Sequence, residues 1–197
     1  MKTLRLLALA LVIQGVPLFG QTEKTIEIND VGSGIELKIG DSVITFTNED
    51  MSNYFIEKGV ELASGGDYEG AIEQINLSFL YISDNYLAFY YRALANYYLE
   101  NYIDAEVDFT KALTIKSDCY DCYNQRGIIY SKTDRFYLAD ADFMKAIELN
   151  PENGQAYLNA GINYLMKGEN SKACEYIEIA KSKGQENAGQ ILIDYCQ

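Results

Sequence analysis

Alanine returns every 34 residues through most of this 197-residue chain, at Ala71, Ala105, Ala139 and Ala173. A fixed period of that length means one small helical unit repeated and stacked, which constrains the fold more than any local propensity. The neighbouring columns keep the same register. Twelve residues before each alanine stands a small residue, Gly59, Ala93, Gly127 or Gly161. Four before that stands an aromatic one, Phe55, Phe89, Tyr123 or Tyr157. Tyr68, Tyr102 and Phe136 lie three before the alanine, with polar Asn170 in the last copy. Ile75, Phe109, Phe143 and Ile177 follow it by four, and Ser78, Ala112, Ala146 and Ala180 by seven. Small residues on both helices of a unit let the helices approach closely, and the aromatics fill the spaces beside them. Turn signals separate the two helices at Gly65 to Asp67, Glu100 and Asn101, Thr133 and Asp134, and Gly168 to Asn170.

The pattern resembles the tetratricopeptide repeat, most clearly in the third copy, through Tyr123, Gly127, Tyr130, Phe136, Ala139, Phe143, Ala146 and Pro151. The resemblance implies an all-α fold, a right-handed α-solenoid of four helix pairs over 51–187, with units at 52–85, 86–119, 120–153 and 154–187. A capping helix is expected over 188–197, where Ile191, Leu192 and Tyr195 recur at helical spacing. The first, second and fourth units lack the closing proline and carry Ser83, Ser117 and Gln185 there. Terminal repeats commonly depart from the pattern because one flank is exposed.

The ends of the chain read differently. Residues 1–20 have the form of a secretory signal: Lys2 and Arg5, the apolar run Leu6 to Ile13, then Pro17 and small Gly20. That run is too short to span a bilayer, which needs about 20 residues, so an exported protein, periplasmic or secreted, is expected and not an integral membrane protein. Residues 21–50 alternate or cluster apolar side chains (Ile26, Ile28; Ile35, Leu37, Ile39; Val43, Ile44, Phe46) between turns, and predict two or three short strands. Gly32 and Gly34 fit a hairpin turn better than a phosphate loop, because no helix or lysine follows as that motif requires. So small a sheet is marginal alone and is expected to pack on the first repeat, to pair with something else, or to lie in the repeat groove.

Charge and composition exclude several functions. Without Lys2 and Arg5 the remaining chain has 14 basic against 29 acidic residues, a net −15, which disfavours nucleic acid and anionic lipid as partners. There is no histidine, so Ser-His and Cys-His dyads and histidine metal sites are absent. No catalytic residue, metal site or cofactor is expected. Two acid pairs, Asp140 with Asp142 and Asp118 with Asp121, have spacing a hydrolase could use, but repeat surfaces carry such acids as solvating charge.

Four cysteines in an exported chain favour disulfides. Cys174 and Cys196 flank a turn near Gly184, so antiparallel helices would bring them opposite each other. Cys119 and Cys122 form a CxxC at the junction of the second and third units. It reads either as a local disulfide or as a redox dithiol at a helix N-terminus.

In the tetratricopeptide family the first helix of each unit lines a concave groove. Carried over, the groove positions are Asn53, Ile56, Val60, Ala63 and Ser64 in the first unit, and Leu87, Tyr90, Leu94, Tyr97 and Tyr98 in the second. Asp121, Asn124, Ile128, Ser131 and Lys132 follow in the third, and Gln155, Leu158, Ile162, Leu165 and Met166 in the fourth. The family's clamp for acidic C-terminal peptides needs lysine and asparagine at several of these places, and only Asn124 and Lys132 qualify. The apolar, tyrosine-rich stripe of Tyr90, Leu94, Tyr97, Tyr98, Ile128, Leu158, Ile162, Leu165 and Met166 instead suits an apolar protein or peptide segment. Arg92 and Arg126, one place before the small residue, are expected to pair with a nearby acid.

Overall fold

The computed structural model describes residues 26–39 and 41–196; the signal-like segment 1–20 lies outside them. Three strands come first, β1 (Ile26–Asp30), β2 (Gly34–Ile39) and β3 (Ser42–Thr47), in an antiparallel meander of order β1-β2-β3. Register sets Leu37 against Ile28 on one side and Ile44 on the other. The glycines flank a hairpin turn. Gly32 takes φ 74° while its N–H donates to Asp30 Oδ1 at 2.9 Å. A Cβ at Gly34 would come within 1.9 Å of the Phe46 carbonyl oxygen, so only glycine fits there.

Strand β3 passes without a loop into α1 (Asn48–Ser64), because Thr47 starts the helix. Its Oγ1 accepts from the Asp50 N–H while the Asp50 side chain accepts from the Thr47 N–H, which is a capping box. Four helix pairs follow: α1 with α2 (Tyr68–Ser78), α3 (Tyr86–Tyr98) with α4 (Tyr102–Ile115), α5 (Tyr120–Lys132) with α6 (Phe136–Leu149), and α7 (Gly154–Met166) with α8 (Asn170–Ser182). A last helix, α9 (Glu186–Tyr195), packs on α8. Each second helix also packs on the first helix of the next pair, and α1 touches α3 as α5 touches α7. The first helices therefore lie side by side.

The repeat columns become the core. Ala71, Ala105, Ala139 and Ala173 are fully buried, as are Ala112, Ala146 and Ala180. Gly59, Gly127 and Gly161 mark where their pairs close tightly: a Cβ would meet Ile75 Cγ1 at 2.6 Å, Phe143 Cε1 at 2.7 Å and Ile177 Cγ1 at 2.5 Å. The turn inside each pair uses one backbone solution four times. Gly66, Glu100, Asp134 and Gly168, spaced by 34, all take positive φ, at 87°, 61°, 58° and 77°. That left-handed residue ends the first helix, and two units tolerate a side chain there. The sheet covers the start of the stack. Ile35 and Leu37 bury against Met51 and Phe55, with Leu77 and Tyr81 alongside. It is thus seated on the first repeat and not in the groove.

Candidate functional site

Side chains of the first helices meet across the face where α1, α3, α5 and α7 adjoin. Asn159 on α7 donates to Asn124 Oδ1 on α5 at 2.9 Å, and Ser131 on α5 to Met166 Sδ on α7 at 3.5 Å. Lys132 on α5 lies 5.9 Å from the Tyr97 ring centroid on α3. Among the described residues, three clefts are lined in part by side chains of the first helices. One of about 260 Å³ between α1, α2 and α3 is lined by Val60, Ala63, Tyr68, Leu94 and Tyr98 among others. A second, about 310 Å³ at the junction of α3, the α4–α5 turn and α5, is lined by Tyr86, Leu87, Tyr90, Tyr91, Lys116, Asp118, Cys119, Tyr120 and Asp121. The third, about 340 Å³, is formed by Ile162, Leu165 and Met166 with Ile191 and Tyr195 of α9.

The structure distributes the sequence-derived groove residues unevenly. Leu94 and Tyr98 share the first cleft, Tyr90 lines the second, and Ile162, Leu165 and Met166 the third. Tyr98 (59% exposed), Met166 (51%) and Ile162 (36%) are available to a partner. Tyr97 is half-buried against Tyr98 and Tyr102, and Ile128 packs on the core around Tyr130 and Ala160. Two positions are not open. Leu158 is buried under α8 and α9 with Ile177 and Ala188, and Asn124 is closed over by Asn159. Whether a first-helix position stays free depends on how closely the next first helix approaches. Tyr68, Tyr86, Tyr91, Asp118 and Tyr120 line clefts although they fall outside the family's groove positions. A signal for two of them was present, since Tyr86 and Tyr120 are 34 residues apart and each opens a first helix.

Of the two acid pairs singled out by spacing, Asp140 and Asp142 are held in ion pairs. Arg92 makes a two-pronged pair with Asp108 on α4 at 2.8 and 2.7 Å, and its third nitrogen donates to Asn76 of the preceding unit at 2.6 Å. Arg126 repeats this one period later, with Asp142 at 2.8 and 2.9 Å and Thr110 at 3.0 Å. Each guanidinium thereby ties both helices of its own unit to the second helix of the one before. Asp140 accepts from Lys167 at 2.5 Å and from Asn163 at 2.6 Å. Burial alone would lower the Lys167 ammonium, but its hydrogen bonds to Asp140 and Glu169 outweigh that and raise it. Asp140 and Asp142 are thus engaged as ion pairs, not as an acid–base couple. Among the described residues no group of three or more His, Cys, Asp or Glu is placed to hold a metal ion.

All four cysteines are paired. Cys174 on α8 joins Cys196 just past α9, and Cys119 joins Cys122 across the first turn of α5. Cys119 is the residue before α5, and its Sγ accepts from the Cys122 N–H at 3.2 Å. Both sulfurs lie in the core, with Cys119 8% exposed and Cys122 closed off.

Residues 120–153 match the family model of the tetratricopeptide repeat. The crystal structure of MamA is similar in fold, with a TM-score of 0.64 and 22% identity over 70% of this chain and 81% of that one. The Arabidopsis OM64 tetratricopeptide-repeat domain aligns at TM-score 0.57 and 28% identity, over 59% of this chain and 96% of its own. The second such domain of human RPAP3, solved in complex with the HSP70 peptide SGPTIEEVD, aligns at TM-score 0.56 and 24% identity, over 59% and 97%. No curated protein sequence matches the chain. The third unit thus matches the tetratricopeptide repeat in sequence, and the stack shares the fold of solved tetratricopeptide-repeat structures. No helix among the described residues is long and apolar enough to cross a membrane.

Proposed function

We propose that the protein is a non-catalytic scaffold of the bacterial cell envelope that binds a segment of a partner protein along the groove formed by α1, α3, α5 and α7. The observation that carries this reading is the set of three clefts on that face beside exposed Tyr98, Ile162 and Met166, which together offer separate seats for side chains of an extended segment. Export is supported by the signal-like segment 1–20 and by two disulfides, bonds that persist in oxidising compartments.

The peptide named with RPAP3 carries two glutamates and a terminal aspartate, and this groove is a poor match for such a ligand. Asn124 is taken by Asn159, Lys132 faces Tyr97, and the chain is acidic overall. The partner segment is therefore apolar or basic. Photocrosslinking tests the groove directly: a photoreactive residue at Tyr98 or Met166 should trap one partner from envelope extract, and the same residue at Tyr137, 81% exposed on α6, should not. Equal yield from both faces, or from Tyr137 alone, would remove the groove as the working surface.

A further inference from the structure

The 310 Å³ cleft differs from the other two in its chemistry. The 260 and 340 Å³ clefts have no charged side chain in their walls. This one is walled by Tyr86, Tyr90 and Tyr91 of α3 and by Tyr120 of α5, with Asp118 and Asp121 beside them. Tyrosine faces carry negative electrostatic potential and attract cations, the more so where water is partly excluded. The carboxylates add charge, and among the described residues neither is in an ion pair. Burial raises the Asp121 carboxyl above the ordinary range, against a smaller opposing effect of its hydrogen bond with Tyr120. A carboxylate held partly away from water gains from an arriving positive charge.

Two features bear on the sign of the ligand. Lys116 also lines the cleft, with Nζ 4.7 Å from the Tyr86 centroid and donating to Tyr86 Oη at 3.3 Å. These rings already accept one ammonium from within the chain, and two acids against one lysine leave the cleft negative. The N-terminus of α5 would by itself favour an anion. That seat is taken, because the Cys122 N–H is satisfied by Cys119 Sγ and Asp121 stands in the first turn. The Cys119–Cys122 disulfide also fixes the turn that presents Asp118, Tyr120 and Asp121.

We propose that this cleft receives the cationic side chain, lysine or arginine, of a partner segment lying in the groove. The proposal rests on the groove reading above and gives the partner's chemistry. Tyr91 lines both this cleft and the apolar 260 Å³ cleft, so the two seats adjoin and select a basic side chain next to an apolar one. A volume near 310 Å³ lies at the small end for ligand pockets, about 300–1,000 Å³, and suits one side chain.

The test uses the full chain with ¹³C-labelled tyrosine rings, titrated with Nα-acetyl-arginine amide, its neutral isostere Nα-acetyl-citrulline amide, and Nα-acetyl-glutamate amide. The arginine probe should shift Tyr86, Tyr90, Tyr91 and Tyr120, and citrulline should bind at least about five-fold more weakly. D118N and D121N should each weaken the arginine probe by about three- to ten-fold, and K116Q, which removes the competing ammonium, should tighten it. The Tyr164 ring in the last repeat reports an intact fold; if D121N disturbs it, D118N carries the test. Equal response to arginine and citrulline, unchanged binding in D118N, or a response to the glutamate probe overturns the cation seat. Loss of the cation preference with groove crosslinking intact rejects this proposal alone, whereas loss of groove crosslinking rejects the groove as well.

Discussion

Arg126 has its side chain 16% exposed and makes three hydrogen bonds, two to an Asp142 side chain that is 8% exposed. Breaking such a pair from one side leaves a charge without its partner in a site that water barely reaches, which costs about 3–5 kcal/mol. We expect Arg126→Met to lose most of that in urea denaturation. Arg126→Met with Asp142→Leu should lose less than the two single changes summed, because the pair disappears together. Strict additivity would mean that the pair contributes nothing specific. The column also shows how the last unit differs. Where Arg126 and Asp142 stand in the third unit, the fourth has Ala160 and Tyr176, and Tyr176 Oη donates to Met144 Sδ at 3.2 Å. Met144 occupies the column of Asn76 and Thr110, so an aromatic hydroxyl replaces the guanidinium as the tie between units. The arginine column was plain in the sequence. Its aspartate partner sixteen residues on was not, because that pairing depends on how the two helices face each other.

At the scale of elements, α9 is the weakest part of the stack. It has ten residues and one fully buried side chain, Ala188, and a helix that short is marginal in water without tertiary support. The Cys174–Cys196 bond supplies that support by closing the α8–α9 hairpin across a sequence separation of 22. Chain entropy puts the stabilisation from a loop of this size at about 3 kcal/mol. Replacing both cysteines by serine should lower stability by about that amount and speed hydrogen exchange in α9 well before α5 and α6. A uniform rise in exchange along the chain would contradict this. The spacing of these cysteines about Gly184 already placed them opposite each other once a helical hairpin was assumed. The burial of Leu158 beneath α9 was less visible, since a groove position counted along one helix does not reveal what the next element covers.

For the whole molecule, the stack is a line of neighbours, so damage at one end should stay local. The sheet stands where a preceding repeat would stand and keeps Met51 and Phe55 from water. A chain beginning at Asn48 should therefore lose exchange protection in α1 and α2 and keep it in α5 to α8. Uniform loss would show a single cooperative unit, and no loss would show that the sheet does not cap the stack.

The 34-residue period, the helix pairs, their turns and a short strand segment of two or three strands were legible because each is written in local patterns of residue size and polarity. The interior faces the same way in every copy, so position within the period predicts burial for Ala105 as it does for Ala139. Tertiary structure alone decided where the clefts open. Tyr86, Tyr91 and Asp118 become cleft walls, and Asn124 and Leu158 become buried, through contacts between helices of different units. A period records what each unit repeats, while a site arises where units differ and meet, and only the packed stack sets those distances.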